Sequence, residues 1–194
     1  MARPGFTGLA GLCLLFAASP ALAHIQMLSP RPRSSSQKSG PCGAAGSERG
    51  DRVSVYRPGE TITVTWDEEV DHPGHYRIAF DIDGDDDFPL PQFPDDDYPT
   101  TLVGQIDDRE GGGIYGQEIT FPNEECDNCT LQLIQVMTTR TPYNSFYFQC
   151  ADIVLSATEA PSPDADISRV GDSGGLCTGC GVGSQSAPSA LLLT

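Results

Sequence analysis

The chain has 194 residues, with 11 Lys and Arg against 27 Asp and Glu, a formal charge of −16. Such an acidic protein is a poor partner for nucleic acid or an anionic membrane surface, while cations, neutral polysaccharide and other proteins remain compatible with it. The length suffices for one domain with its own core plus a tail.

The first 23 residues read as a secretory leader: Arg3 supplies positive charge, residues 9–18 are apolar, and Ala21-Leu22-Ala23 is a small-x-small cleavage signal. The apolar run is too short to span a bilayer, so removal of residues 1–23 is expected, with His24 as the first residue of an exported, extracellular protein that has no membrane span. Cysteine usage agrees with export. Cys13 leaves with the leader, and Cys42, Cys126, Cys129, Cys150, Cys177 and Cys180 remain, an even number suited to disulfides.

From Ile25 to Arg52 the chain is rich in Pro, Ser and Gly, and Pro30, Pro32 and Pro41 exclude a long helix, which predicts an extended start followed by a loop. Residues 61–66 alternate polar and apolar side chains as a half-buried strand does, and residues 76–81 alternate again. Between them, residues 70–75 are expected to form a loop. Further strands are predicted at 117–121, 130–137 and 146–155, each rich in β-formers and bounded by Gly, Pro or Asn. No segment sustains a helical period. Several short strands, with Cys42 and Cys150 available to pin the ends together, predict an all-β antiparallel sandwich of immunoglobulin or fibronectin-III type over residues 24–156. Cys126-Asp127-Asn128-Cys129 has redox-motif spacing without a strand-helix context, and is read as a structural disulfide at the start of a strand. Residues 157–194 turn Gly-, Ser- and Pro-rich and are expected to be a disordered tail. The acidic run from Asp81 to Asp87 lacks the glutamate of a calcium loop and reads as a solvated loop.

The chemistry concentrates on the three histidines, His24, His72 and His75. Cleavage before His24 would expose an α-amine titrating near ~8 beside an imidazole near ~6.5, so one residue would offer two metal-binding nitrogens at neutral pH. An amino terminus, its own imidazole and one further imidazole are a sufficient donor set for copper. His72 or His75 must supply that further imidazole, both being expected in the loop between strands.

Three segments carry a family resemblance. His24-Ile25-Gln26-Met27-Leu28-Ser29-Pro30 resembles the mature start of lytic polysaccharide monooxygenases, Asp71-His72-Pro73-Gly74 is similar to their second-histidine loop, and Phe146-Tyr147-Phe148-Gln149-Cys150-Ala151-Asp152 is similar to their late strand. The resemblance implies one copper ion held by His24 and His72, with Tyr147 on its axis and His75 outside the motif. The Gln expected two residues before Tyr147 is replaced by Ser145, and Gln135 on the preceding predicted strand could substitute as a hydrogen-bond donor. Two functions follow from the resemblance. One is a monomeric, copper-dependent monooxygenase that cleaves a polysaccharide such as chitin or cellulose with an electron donor. The other is a non-catalytic protein using the same histidine brace to capture or deliver copper, or to bind carbohydrate. Sugar stacking would draw on Tyr56, Tyr76, Tyr98, Tyr115 or Tyr143.

Overall fold

A computed structural model describes residues 24–158. The leader expected over 1–23, and the tail from 159 with Cys177 and Cys180, lie outside the described residues. Eight strands follow in order: β1 (Gln26–Ser29), β2 (Val53–Tyr56), β3 (Thr61–Glu68), β4 (Gly74–Asp81), β5 (Thr101–Asp107), β6 (Gly113–Thr120), β7 (Cys126–Met137) and β8 (Phe146–Leu155). They form a three-stranded sheet, β1-β3-β6, facing a five-stranded sheet, β2-β8-β7-β4-β5. The fold is the expected β-sandwich, with one exception to its antiparallel pairing: β2 runs parallel to β8.

The period-2 pattern builds the core. In β3, Ile62, Val64 and Trp66 point inward while Thr61, Thr63 and Thr65 point outward, and they meet Tyr76, Ile78 and Phe80 of β4 and Leu131 and Leu133 of β7. Trp66 stacks on Tyr115 with ring centroids 5.3 Å apart. Strands β4, β7 and β8 are buried on both faces, because loops cover the outer face of their sheet. Under those loops Cys42, Ala79, Phe88 and Cys150 form one cluster and Ile134, Val136, Tyr143 and Phe148 another. Arg33 is held there between Asp86 and Asp152 at 2.6 and 2.7 Å, which gives Asp152 a structural role. Disulfides join Cys42 to Cys150 and Cys126 to Cys129.

Strand β1 is short and lies at a sheet edge, yet its free edge is not open. Gln37, 4% exposed, accepts hydrogen bonds on Oε1 from the backbone nitrogens of His24 (2.9 Å) and Ile25 (3.1 Å). Its Nε2 donates to the Ile25 carbonyl. Gln149 repeats the device two residues on, accepting from the Met27 nitrogen and donating to the Ser34 carbonyl. Two buried amides thus replace a neighbouring strand and tie β1 to the opposite sheet, while fully buried Ile25 and Met27 contribute about 2 kcal/mol each by burial.

Candidate functional site

Four strand ends converge at one end of the sandwich. β1 begins there just after His24, β3 ends and β4 begins on either side of the loop holding His72, and β8 begins with Tyr147 as its second residue. The result brings His24, His72 and Tyr147 together. The His24 ring stacks on Tyr147 with centroids 3.9 Å apart and planes 12° from parallel, and His72 lies 4.8 Å from His24 at 15°. The Glu69 nitrogen donates to the His24 carbonyl at 3.2 Å, fixing His24 against the end of β3.

The His72 loop is tied down from below. Glu68 closes β3, and the alternation Ile62, Val64, Trp66 carries its side chain inward, where it is 3% exposed. Its Oε1 accepts from Gln135 Nε2 at 2.7 Å and from the His72 backbone nitrogen at 3.4 Å, and its Oε2 lies 3.2 Å from the Tyr115 hydroxyl. Asp71 accepts from the Gly111 nitrogen (2.7 Å) and Asp108 from the Tyr115 hydroxyl (2.7 Å), so the loop is stapled to the β5–β6 turn. Burial pushes the Glu68 carboxyl above the usual carboxylate range, Asp108 adds to the rise, and tyrosine hydroxyls and the His72 amide oppose it. Gly74, directly after Pro73, admits no side chain: a Cβ there would stand 2.6 Å from the Val136 carbonyl oxygen. That close approach seats the start of β4 on β7 and sets where His72 turns.

Two ring nitrogens at this site, His24 Nδ1 and His72 Nε2, are buried with no hydrogen-bond partner among the described residues. Buried polar atoms are ordinarily paired. Two unpaired imidazole nitrogens on adjacent rings form a donor set suited to a borderline or soft metal such as copper. Burial, then the charge of Lys38, then His72 hold the His24 imidazole below its ordinary pKa, which favours the neutral ring that metal binding requires. Lys38 itself rests its ammonium 3.9 Å from the centroid of the Tyr147 ring.

Residues 22–168 match the family described as copper acquisition factor BIM1-like. The chain belongs to the BIM1-like copper acquisition factor family. Among solved structures, this BIM1-like chain is similar to a lytic polysaccharide monooxygenase AA15 from Thermobia domestica in the Cu(I) state, at 20% identity over 61% of this chain and 76% of that one, with a TM-score of 0.41. No curated protein matches.

His75 is not in the loop with His72. Strand β4 begins earlier, at Gly74, and the pleat turns the 5%-exposed His75 to the outer face of its sheet, edge-on to Tyr143 at 5.7 Å. Gln135 lies opposite Tyr147 on the neighbouring strand and is fully buried, with Nε2 on Glu68 and Oε1 unpaired. Of the five tyrosines considered for sugar stacking, Tyr56, Tyr76, Tyr115 and Tyr143 are buried and cannot present a face to a polysaccharide. Tyr98 is half-buried, with the Arg77 guanidinium 5.4 Å from its centroid. Three contributors escaped sequence reading: Gln37, Lys38 and Glu68. Only Glu68 left a signal, because extending the β3 alternation by two residues puts a carboxylate on the buried face.

Proposed function

We propose that this BIM1-like protein is exported, cut before His24, and binds one copper ion through the His24 amine and Nδ1 and the His72 Nε2, in order to capture copper and pass it on. The observation that carries the reading is the pair of buried nitrogens on adjacent imidazoles that have no hydrogen-bond partner among the described residues. Copper in this donor set would be a redox-active centre. The protein's residues do the rest: Gln37 and the Glu69 amide fix His24, Glu68 fixes the backbone of His72, and the Tyr147 ring closes one face of His24. Burial of Tyr56, Tyr76, Tyr115 and Tyr143 favours capture over polysaccharide cleavage, since sugar recognition draws on exposed rings. The groove beside the His72 loop points the same way, its 470 Å³ being lined by Asp71, Asp108 and Glu110 with no aromatic ring.

Copper binding is tested on protein beginning at His24. The expected result is tight Cu(II) binding at one equivalent. One extra residue before His24 should weaken it sharply, and His72→Ala should weaken it roughly a hundredfold or more, a ligand counting for at least as much as its supporting partners. Equal affinity in the extended protein would refute the reading.

A second reading, a copper-dependent polysaccharide monooxygenase with an external electron donor, draws on Gln135, whose buried amide lies across from Tyr147. Oxidised oligosaccharides from chitin or cellulose treated with reduced, copper-loaded protein would support it. Their absence across a broad panel of polysaccharides leaves copper capture as the function.

A further inference from the structure

Gln37 stands thirteen residues after His24 in a loop, yet every polar atom of its side chain is spent on the start of the chain. Its backbone is fastened as well. The Phe148 nitrogen donates to the Gln37 carbonyl at 2.9 Å, and Phe148 follows Tyr147 on β8. The Cys42–Cys150 disulfide anchors the same loop to the same strand five residues further along. Gln37 therefore joins the strand carrying Tyr147 to the nitrogen of His24. Gln149 makes the equivalent clamp on Met27, away from the His24 nitrogen.

We infer that Gln37 is the positioning residue for the amino-terminal ligand, an inference that rests on the copper reading above. A neutral amine has two N–H bonds and one lone pair, and it rotates about its bond to Cα among three staggered orientations. Holding one N–H on Gln37 Oε1 removes that freedom and directs the lone pair away from Gln37. The same oxygen holds the Ile25 nitrogen, so the acceptor is itself fixed by the strand and does not follow the amine if it swings. The bond serves a peptide N–H equally well, so the clamp can form before the leader is cut and the site is preorganised when the amine is released. Partners that orient a metal ligand, without touching the metal, typically change affinity 10–100-fold.

The test compares Gln37→Leu, Gln37→Glu and Gln149→Leu, each in protein starting at His24, by Cu(II) affinity, by the electron paramagnetic resonance spectrum of the copper complex, and by thermal unfolding without metal. Gln37→Leu, which has no acceptor, should weaken Cu(II) binding about 10–100-fold and alter the spectrum. Gln37→Glu keeps the acceptor for the His24 nitrogen and should stay within about fivefold of the parent, with the parent spectrum. Gln149→Leu should lower the melting temperature while leaving affinity and spectrum unchanged. Parent-like binding and spectrum in Gln37→Leu would overturn the inference, as would an equal loss in Gln149→Leu, which would mean that general loosening of β1 is responsible. If Gln37→Leu does not fold, the Glu variant decides: a folded Gln37→Glu that loses more than about tenfold overturns the inference, and one that keeps the parent affinity supports it. Failure of the parent protein to bind copper refutes the copper reading itself, whereas a copper-binding parent with an indifferent Gln37→Leu refutes only the role of Gln37.

Discussion

The two disulfides close loops of very different length, and their removal should have very different consequences. Cys42 and Cys150 are 108 residues apart, and Cys126 and Cys129 only 3. Cross-linking stabilises chiefly by restricting the unfolded chain, by an entropy that grows with the logarithm of loop length. On that basis replacing Cys42 and Cys150 together by Ala should cost about 5 kcal/mol, and replacing Cys126 and Cys129 about 2 kcal/mol. The long-range pair carries a further local term, since Cys42 and Cys150 are each 1% exposed and pack with Ala79 and Phe88. The assay is urea unfolding of copper-free protein, with midpoint and slope measured for both double variants. An increased slope in the Cys42/Cys150 variant would fit an unfolded state released from its largest constraint. Equal destabilisation, or a greater cost for Cys126 and Cys129, would refute the loop-length reasoning. The same variant should hold copper less firmly, because the disulfide anchors the loop that carries Gln37.

Acid should weaken the fold partly through His75. Burial, followed by the Arg77 charge and against the pull of Asp107, holds this imidazole below its ordinary pKa. The unfolded chain therefore takes up a proton below about 6.5 that the folded state resists, so stability present above that pH is lost as pH falls through the folded value, by at most about 1.4 kcal/mol per pH unit. His75→Phe, which keeps a ring against Tyr143, should flatten the pH 7 to 5 decline in urea midpoint and leave copper affinity unchanged. An unaltered decline would show that His75 does not contribute. Gly74→Ala should cost about 2–4 kcal/mol, because the new Cβ meets the Val136 carbonyl at 2.6 Å and must push β4 off β7. It should also weaken copper binding by displacing His72, and a variant with parental melting temperature and affinity would show that the backbone adjusts freely.

Regular alternation was the most legible part of this chain. Residues 61–66 announce β3, because inward and outward side chains differ in polarity along them, and 146–155, expected from its β-forming residues, coincide with β8 although that strand is buried on both faces. Strand β5 (Thr101–Asp107) went unrecognised: it contains Gly104, is only half-buried, and pairs with β4 through irregular register. Strands β1 and β2, four residues each, are too short to show a period. The alternation from Tyr76 leaves His75 in the expected loop, whereas Gly74 is already paired with Met137. Sequence spacing has no means of showing that a glycine is needed there for contact with a neighbouring strand.

By itself the sequence determined the all-β class and supplied Cys42, Cys126, Cys129 and Cys150 as candidates for disulfides, and its family resemblance implied His24, His72 and Tyr147 as one group. These are local matters, set by side-chain period, by residue type and by short motifs. Tertiary structure decided which histidine stays beside His24, since one residue of pleat turns His75 to the opposite face of a sheet. It also decided what holds the site: Glu68 under the His72 loop, Lys38 over Tyr147, and Gln37 reaching from its loop to the nitrogen of His24. Side-chain amides that stand in for a missing strand have no period and no motif, and only packing the two sheets together brings them to the edge they complete.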